Sequence, residues 1–326
     1  MAMYQTLAED DAVRFIRLSP SEPHAPLSIE LVPGTLSTVH ETYEATSYTL
    51  GDDQPTTTIL CNGEAFELRQ NAYDCLCRLR KPDTSRLLWM DCICIDQHDP
   101  TERANQVKIM HLIYEHAKAV LVWLGPESSD SALAMEYVSQ LDSQKYVLEA
   151  NLYAWGGTAN LDYDDKSYLF DNVSESQENQ LLVTALCALV SRSWLLRMWI
   201  QQEAAVCSDT RVFCGDHDVP WEQFFSLAWL LLDRTSADWP RWIDVHPAAI
   251  QKSLSAALTI QRNRVNYLKI PSPWAVETYR RPTAYLPNHE EKLVLAEAAR
   301  TGPVVYKGRE LLVLLRECSG CQAKDP

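Results

Sequence analysis

In LLWMDCICIDQHDPTERANQVKIMHLIYEHAKAVLVWLG (87–125), an apolar run, a helical spacing and a second apolar run follow one another. LLWMD (87–91) is short and apolar, as a buried strand is. Asp99 is placed to cap the amides that follow, Pro100 takes the first helical position, and Glu102 can reach back as in a capping box. Val107, Met110, Ile113, Tyr114 and Ala117 then recur on one helical face, so a helix is expected over 100–118. AVLVWLG (119–125) is apolar throughout and ends in Gly, the pattern of a strand covered on both faces. Strand, helix, strand in that order predicts a right-handed crossover, hence an α/β fold on a mostly parallel sheet flanked by helices. In such a sheet the carboxyl ends of the strands form the ligand crevice, which accounts for the polar Asp91, Asp96 and Gln97 at the end of an apolar strand. Cys92 and Cys94 are read as alternate residues on one strand face, packed in the core.

Working outward, YEATSY (43–48) reads as a strand, and TTTILC, NGE and AFELR (56–69) as a hairpin. Ala72, Cys75, Leu76 and Leu79 mark a helix over 71–80. Residues 126–179 read as an insertion whose acidic part, 162–179, is expected on the surface. Residues 180–206 return to helical spacing with a break near 191–193, giving a helix over 194–206. The division expected is an N-terminal extension (1–39) with one strand-like run at 27–32, a domain at 40–207, and a mainly helical region at 208–326.

With 44 acidic and 29 basic side chains among 326 residues the net charge is −15, and the basic residues are scattered. Nucleic acid and anionic membrane surfaces are therefore unfavourable partners. The N-terminus lacks a charged-then-apolar signal pattern and no apolar run approaches the roughly 18 residues of a membrane span, so a cytoplasmic location is expected. Ten cysteines then read as reduced thiols. Cys75-Leu-Cys77 and Cys92-Ile-Cys94 are too tight for a structural zinc site, and Cys318-Ser-Gly-Cys321 has no second pair, so no metal is expected.

RSWLLRMWIQQE (192–203) sets Trp199 four residues before Glu203, on one face of a helix, offering an indole beside a carboxylate. Taken by itself, such a pair is more often core packing beside a solvated face. Arg192 and Arg197 can meet a ligand phosphate, or pair with Asp91 or Glu203 to hold the fold.

YEATSYTLGDD (43–53), the 87–125 stretch and RSWLLRMWIQQE resemble, in order, the three blocks of the fungal HET (heterokaryon incompatibility) domain family, and FCGDHDVPW (213–221) is also typical of it. HET domains are similar in turn to TIR domains, so the resemblance implies a TIR-like, flavodoxin-like core. It implies roles in nonself recognition and regulated cell death, with self-association, and a chain that continues beyond CSGCQAKDP. Tyr43, Glu44, Gly51 and Asp53 fall where a TIR domain's first strand and loop have counterparts, Trp89 and Asp91 match its second strand, and Trp199 with Glu203 its third block. In catalytic TIR domains the glutamate of that block is needed to cleave the nicotinamide–ribose bond of NAD, so the resemblance makes Glu203 the catalytic candidate and NAD the candidate substrate, with no resident cofactor. Tyr48, Leu50, Gly51, Asp52, Asp91, Asp96, Gln97, Arg192, Arg197 and Trp199 would line the nucleotide site. Two residues depart from the family pattern. Leu50 stands where a Trp is usual, and Asp96 replaces an Asn, adding negative charge where an anionic dinucleotide would lie. The rival readings are a non-enzymatic self-associating module, or a HET-like protein recruited to another metabolic reaction. No G-x-G-x-x-G stretch points to a Rossmann oxidoreductase.

Overall fold

The computed structural model describes residues 3–7, 9, 11–22, 25–51, 56–141, 177–197, 199–232 and 247–268. Its centre is the sequence 87–125. Arg86–Trp89 is strand β6, Pro100–Glu115 is a helix, and Ala119–Trp123 is strand β7, fully buried along its length. Both β6 and β7 pair in parallel with Glu44–Tyr48, strand β3, which lies between them. Thr210–Cys214, strand β8, extends the parallel set on the far side of β7. Four parallel strands thus run in the order β6-β3-β7-β8. The chain leaves β3 for the neighbour on one side, then crosses to the other, so β3 is the point at which the winding reverses.

The sheet is nevertheless mixed, which corrects the expectation of a mostly parallel one. Among the described residues nine strands run in the order Glu64–Arg69 (β5), Thr56–Cys61 (β4), Ser28–Thr35 (β2), Ala12–Leu18 (β1), β6, β3, β7, β8 and His217–Pro220 (β9), and half of the pairings are antiparallel. Ala12–Leu18 (β1) and Ser28–Thr35 (β2), within the expected N-terminal extension, belong to this sheet, with β1 antiparallel to both β2 and β6. The alternation in β1 is hidden because its side chains are buried on both faces except Arg17, which pairs with Glu30 on β2. Thr56–Cys61 (β4) and Glu64–Arg69 (β5) form the expected hairpin. Its two-residue turn, Asn62-Gly63, has positive φ at both positions (53° and 82°), matching the right-handed twist of the strands. His217–Pro220 (β9) closes the other edge against β8.

The helices, numbered in chain order, begin with α1 (Gln70–Leu79), whose buried face is Ala72, Cys75, Leu76 and Leu79. Asp91–Cys94 is a short helix, α2, so Cys92 and Cys94 are not strand neighbours as expected. The chain turns at Met90 because the amides of Ile93 and Cys94 both find its carbonyl, ending the strand. Pro100–Glu115 is α3, capped as expected by Asp99, which accepts from the Thr101 and Glu102 amides. Glu102 does not close a capping box. Its carboxylate accepts instead from the Asp96 amide at 2.7 Å and from both Nη atoms of the buried Arg14, at 2.6 and 2.8 Å.

Ser131–Ser139 is α4 and Gln177–Val190 is α5. The helix expected over 194–206 is broken into a 3-10 turn, Ser193–Leu196, and α6, Ile200–Ala205. Arg197 between them is extended (ψ 146°), which no helix can pass through. Trp221–Leu232 is α7 and Pro247–Tyr267 is α8, so the region from 208 contributes two strands to the sheet before its helices. The acidic stretch 162–176 lies outside the described residues, as does everything from 269 onward.

Candidate functional site

Two residues at the carboxyl end of β3 organise the candidate site from opposite faces of the sheet. Ser47 Oγ donates to Glu203 Oε2 and accepts from Trp194 Nε1 at 2.8 Å, so one hydroxyl uses its donor and an acceptor lone pair at once. Tyr48, the next residue, donates its hydroxyl to Asp91 Oδ1 at 2.8 Å. Glu203 and Asp91 are therefore both tied to the central strand, through adjacent residues.

The two carboxylates stand in different environments. Glu203 is only 2% exposed. Arg197 Nη1 and Nη2 lie 3.2 and 3.3 Å from its two oxygens, a bidentate pair that neutralises the charge inside the protein. Asp91 is half-buried, and its Oδ1 also accepts from the Cys92 amide at 2.7 Å. Gln97 Nε2 donates to the Asp91 carbonyl at 3.1 Å, folding the 91–97 loop over the strand end. Tyr114 on α3 lies beneath, its hydroxyl donating to the Thr46 carbonyl at 3.0 Å. Burial raises the Tyr114 hydroxyl well above its ordinary value, and the charges of Glu203 and then Asp91 push it further; burial and then Asp91 do the same to Tyr48. Both phenols stay protonated, and both remain donors.

The other expected residues are more dispersed. Asp96 uses its side chain on the His98 amide at 3.0 Å, a local turn. Leu50 is half-buried against the core, Gly51 carries φ 76° and gives its carbonyl to Arg69 at 3.3 Å, and Asp52 lies outside the described residues. Arg192 does not pair with Asp91 or Glu203. It donates to the carbonyls of Leu124 (3.2 Å) and Pro126 (2.9 Å) and to Ser128 Oγ (3.0 Å). Gly125 makes this possible. Its φ of 115° lets those carbonyls converge, and a Cβ there would sit 3.1 Å from the guanidinium. Trp199 precedes α6, and the Glu203 amide reaches its carbonyl at 3.3 Å, so the four-residue interval is a helical turn, with Trp199 half-buried. A cavity of about 370 Å³ lies elsewhere, lined by Met3, Gln5, Arg14, Leu31 and Glu64 among others, and none of the expected site residues lines it. Among the described residues no group of three His, Cys, Asp or Glu is arranged to hold a metal. Burial pushes the thiols of Cys75, Cys92 and Cys94 upward, and Cys61 up to about 11, so they are unreactive near neutrality.

The family model described as heterokaryon incompatibility protein (HET) matches residues 43–203, a span that starts just before the strand carrying Ser47 and ends on Glu203 itself. These residues are a HET domain. Over 196 residues the chain is 31% identical to heterokaryon incompatibility protein 6, OR allele, of Neurospora crassa. The aligned stretch covers 53% of this chain and 28% of that relative, so the chain spans less than a third of its length. No solved structure matches.

Within the HET domain, sequence reasoning missed the residues that join the motifs. Ser47, a buried polar residue of β3, and Trp194, fully buried, link the first block to the third. Asn71 on α1 links the loop after β3 to β7, donating to the Thr49 carbonyl at 2.5 Å and accepting from Trp123 Nε1 at 2.9 Å. Nothing in EATSY marks Ser47 as the partner; attention to both tryptophans of RSWLLRMW would have singled out only the Trp194 end of the first link.

Proposed function

We propose that the chain is the HET-domain part of a fungal nonself-recognition protein whose TIR-like core cleaves the nicotinamide–ribose bond of NAD or of a related nucleotide. The observation that carries the proposal is the attachment of Glu203 to Ser47 at the carboxyl end of the strand where the winding reverses. Open α/β sheets bind ligands at that point. The order β6-β3-β7-β8 is also that of flavodoxin-like sheets, which supports the TIR-like reading. Breaking the bond develops positive charge on the ribose while nicotinamide, already cationic, leaves without needing a proton, so a fixed carboxylate stabilises the transition state.

The burial and neutralisation of Glu203 favour a second reading, a recognition module without catalysis. Nicotinamide release from NAD by the wild-type chain and by Glu203→Gln separates the two. On the catalytic reading the variant falls by on the order of a hundredfold per folded molecule. Because the substitution also breaks a buried pair, its melting temperature is expected to drop, so turnover is compared only at temperatures where both are folded. Equal rates would remove Glu203 from the mechanism, and no release from either would leave the recognition module.

A further inference from the structure

Strand β2 parts from β4 early. The two pair only at Ser28↔Leu60 and Ile29↔Cys61, and beyond that point Asn62 stands in for the missing strand: its Oδ1 accepts from the Leu31 amide at 3.0 Å and its amide donates to the Ile29 carbonyl at 3.0 Å. Pro33, two residues on and so turned to the same side, has no amide to leave unpaired. Between this end of β2 and the β4–β5 turn lies the cavity of about 370 Å³, lined there by Leu31, Pro33, Asn62 and Glu64 and completed by Arg14 of β1 and by the N-terminal residues Met3 and Gln5. Its volume is within the range of small-ligand pockets.

The lining decides what fits. Arg14 is 2% exposed, and four of its five N–H groups are used, on the carbonyls of Gln5 and Cys94 and on the two oxygens of Glu102. The fifth, Nε, is buried and has no hydrogen-bond partner. An orphaned buried donor is costly, and it calls for an acceptor. Because Glu102 already balances the guanidinium, the acceptor that suits it is an uncharged carbonyl; a second carboxylate would face the first. Glu64 is exposed, and among the described residues its carboxylate has neither a hydrogen bond nor an ion pair. On a chain of net charge −15 it is a counter-ion for a cation. The half-buried Met3 and Leu31, with Pro33, add an apolar wall. We propose that this cavity is a binding site for a small aliphatic ammonium carrying a carbonyl, the chemistry of a free peptide amino terminus with an aliphatic first residue. The ammonium pairs with Glu64, the carbonyl accepts from Arg14, and the side chain lies against the wall. The site is separate from Glu203 and stands whether or not the chain cleaves NAD.

Calorimetric titration of the whole chain with L-leucinamide tests this, at a pH near 6.5, below the roughly 7.7–8.0 of an α-amine. Saturable binding of one molecule per chain is expected. Replacing Arg14 would unpair Glu102 and endanger the fold, so the carbonyl contact is tested through the ligand. Isopentylamine, which lacks the carbonyl, and N-acetyl-L-leucinamide, which lacks the charge, should each bind on the order of tenfold or more weaker, and leucine, with a carboxylate in place of the amide, should also lose affinity. Glu64→Gln should lose on the order of tenfold at an unchanged melting temperature, because the residue is exposed, while Glu67→Gln, exposed on the same hairpin, should bind as the wild type does. No saturable binding, or isopentylamine or leucine binding as tightly as leucinamide, would overturn the inference. Equal losses in the two glutamate variants would do so too, since they would mark a cation held loosely on an acidic surface.

Discussion

Arg14 shows how far a single side chain can reach across this fold. It lies in β1, ahead of the HET match, and is 2% exposed. Its guanidinium joins the Gln5 carbonyl, the Cys94 carbonyl at 3.2 Å and both oxygens of Glu102, with the Tyr4 ring 5.1 Å above it. Glu102 in turn holds the Asp96 amide. One ion pair therefore sets the start of α3 and the loop carrying Asp96 and Gln97. Burial by itself would raise the Glu102 carboxyl, but the hydrogen bonds from Arg14 and the Asp96 amide outweigh it and hold the group below its ordinary value. A carboxyl that is the stronger acid when folded contributes stability that is fully present above its unfolded pKa, roughly 4.3, and is lost as pH falls through the lower folded value. Urea midpoints measured from pH 7 down to about 3 should fall more steeply for wild type than for Glu102→Gln, which starts lower because its loss leaves Arg14 buried without a counter-charge. Parallel slopes would assign the acid sensitivity to other carboxylates.

Among the elements, two glycines show when a positive φ is cheap to replace and when it is not. Gly63 closes the β4–β5 hairpin at φ 82° with nothing within 4 Å of a Cβ, so Gly63→Ala should cost only the left-handed backbone term, about 1 kcal/mol. Gly125 stands at φ 115°, beyond the left-handed helical basin, with the Arg192 guanidinium 3.1 Å from a Cβ. Gly125→Ala should cost clearly more, because Arg192 cannot retreat without releasing the Leu124 and Pro126 carbonyls. Chemical denaturation of both variants measures the difference, and equal costs would mean that the cage yields freely. The same contrast explains what was legible in the sequence. The hairpin, α1, α3 and the strands β3, β6 and β7 follow from local signals, such as Asn62-Gly63, Asp99-Pro100 and unbroken apolar runs. The roles of Arg192 and Glu102 did not, since the partners of Arg192 lie 64 to 68 residues away and Arg14, the ionic partner of Glu102, lies 88 residues away, and nothing local marks them. The strand β1 was hidden for another reason: buried on both faces, it shows no alternation.

At the scale of the whole molecule, the HET match is narrower than the structure that supports it. The sheet continues on both sides, through β1 and β2 before the match and β8 and β9 after it. Trp194, which holds Ser47, packs edge-on against Trp221 at 6.3 Å, and Trp221 Nε1 donates to Gln261 on α8 at 2.8 Å. Arg264, also on α8 and 2% exposed, donates to the carbonyls of Ala204 (2.7 Å) and Cys207 (2.8 Å) and to Thr210 Oγ1 (2.9 Å), closing the end of the helix that carries Glu203. Residues 43–203 produced alone should therefore lack a cooperative urea transition, while the full chain shows one. A cooperative transition in the fragment, of comparable midpoint, would show that the flanking strands and α8 are dispensable.

The pairing of β7 with β8 carries a consequence for how this chain is made. Roughly ninety residues separate the two strands, yet they lie side by side in register from Val120↔Thr210 to Trp123↔Phe213. At ribosomal speeds of about 5–20 residues per second, β7 is complete several seconds before its neighbour is synthesised. During that interval one flank of a wholly apolar strand has open amides and carbonyls, the kind of template on which nascent chains aggregate. Chaperone capture of the growing polypeptide should accordingly be strongest between the emergence of Trp123 and that of Cys214, and should fall away once β8 seals the flank.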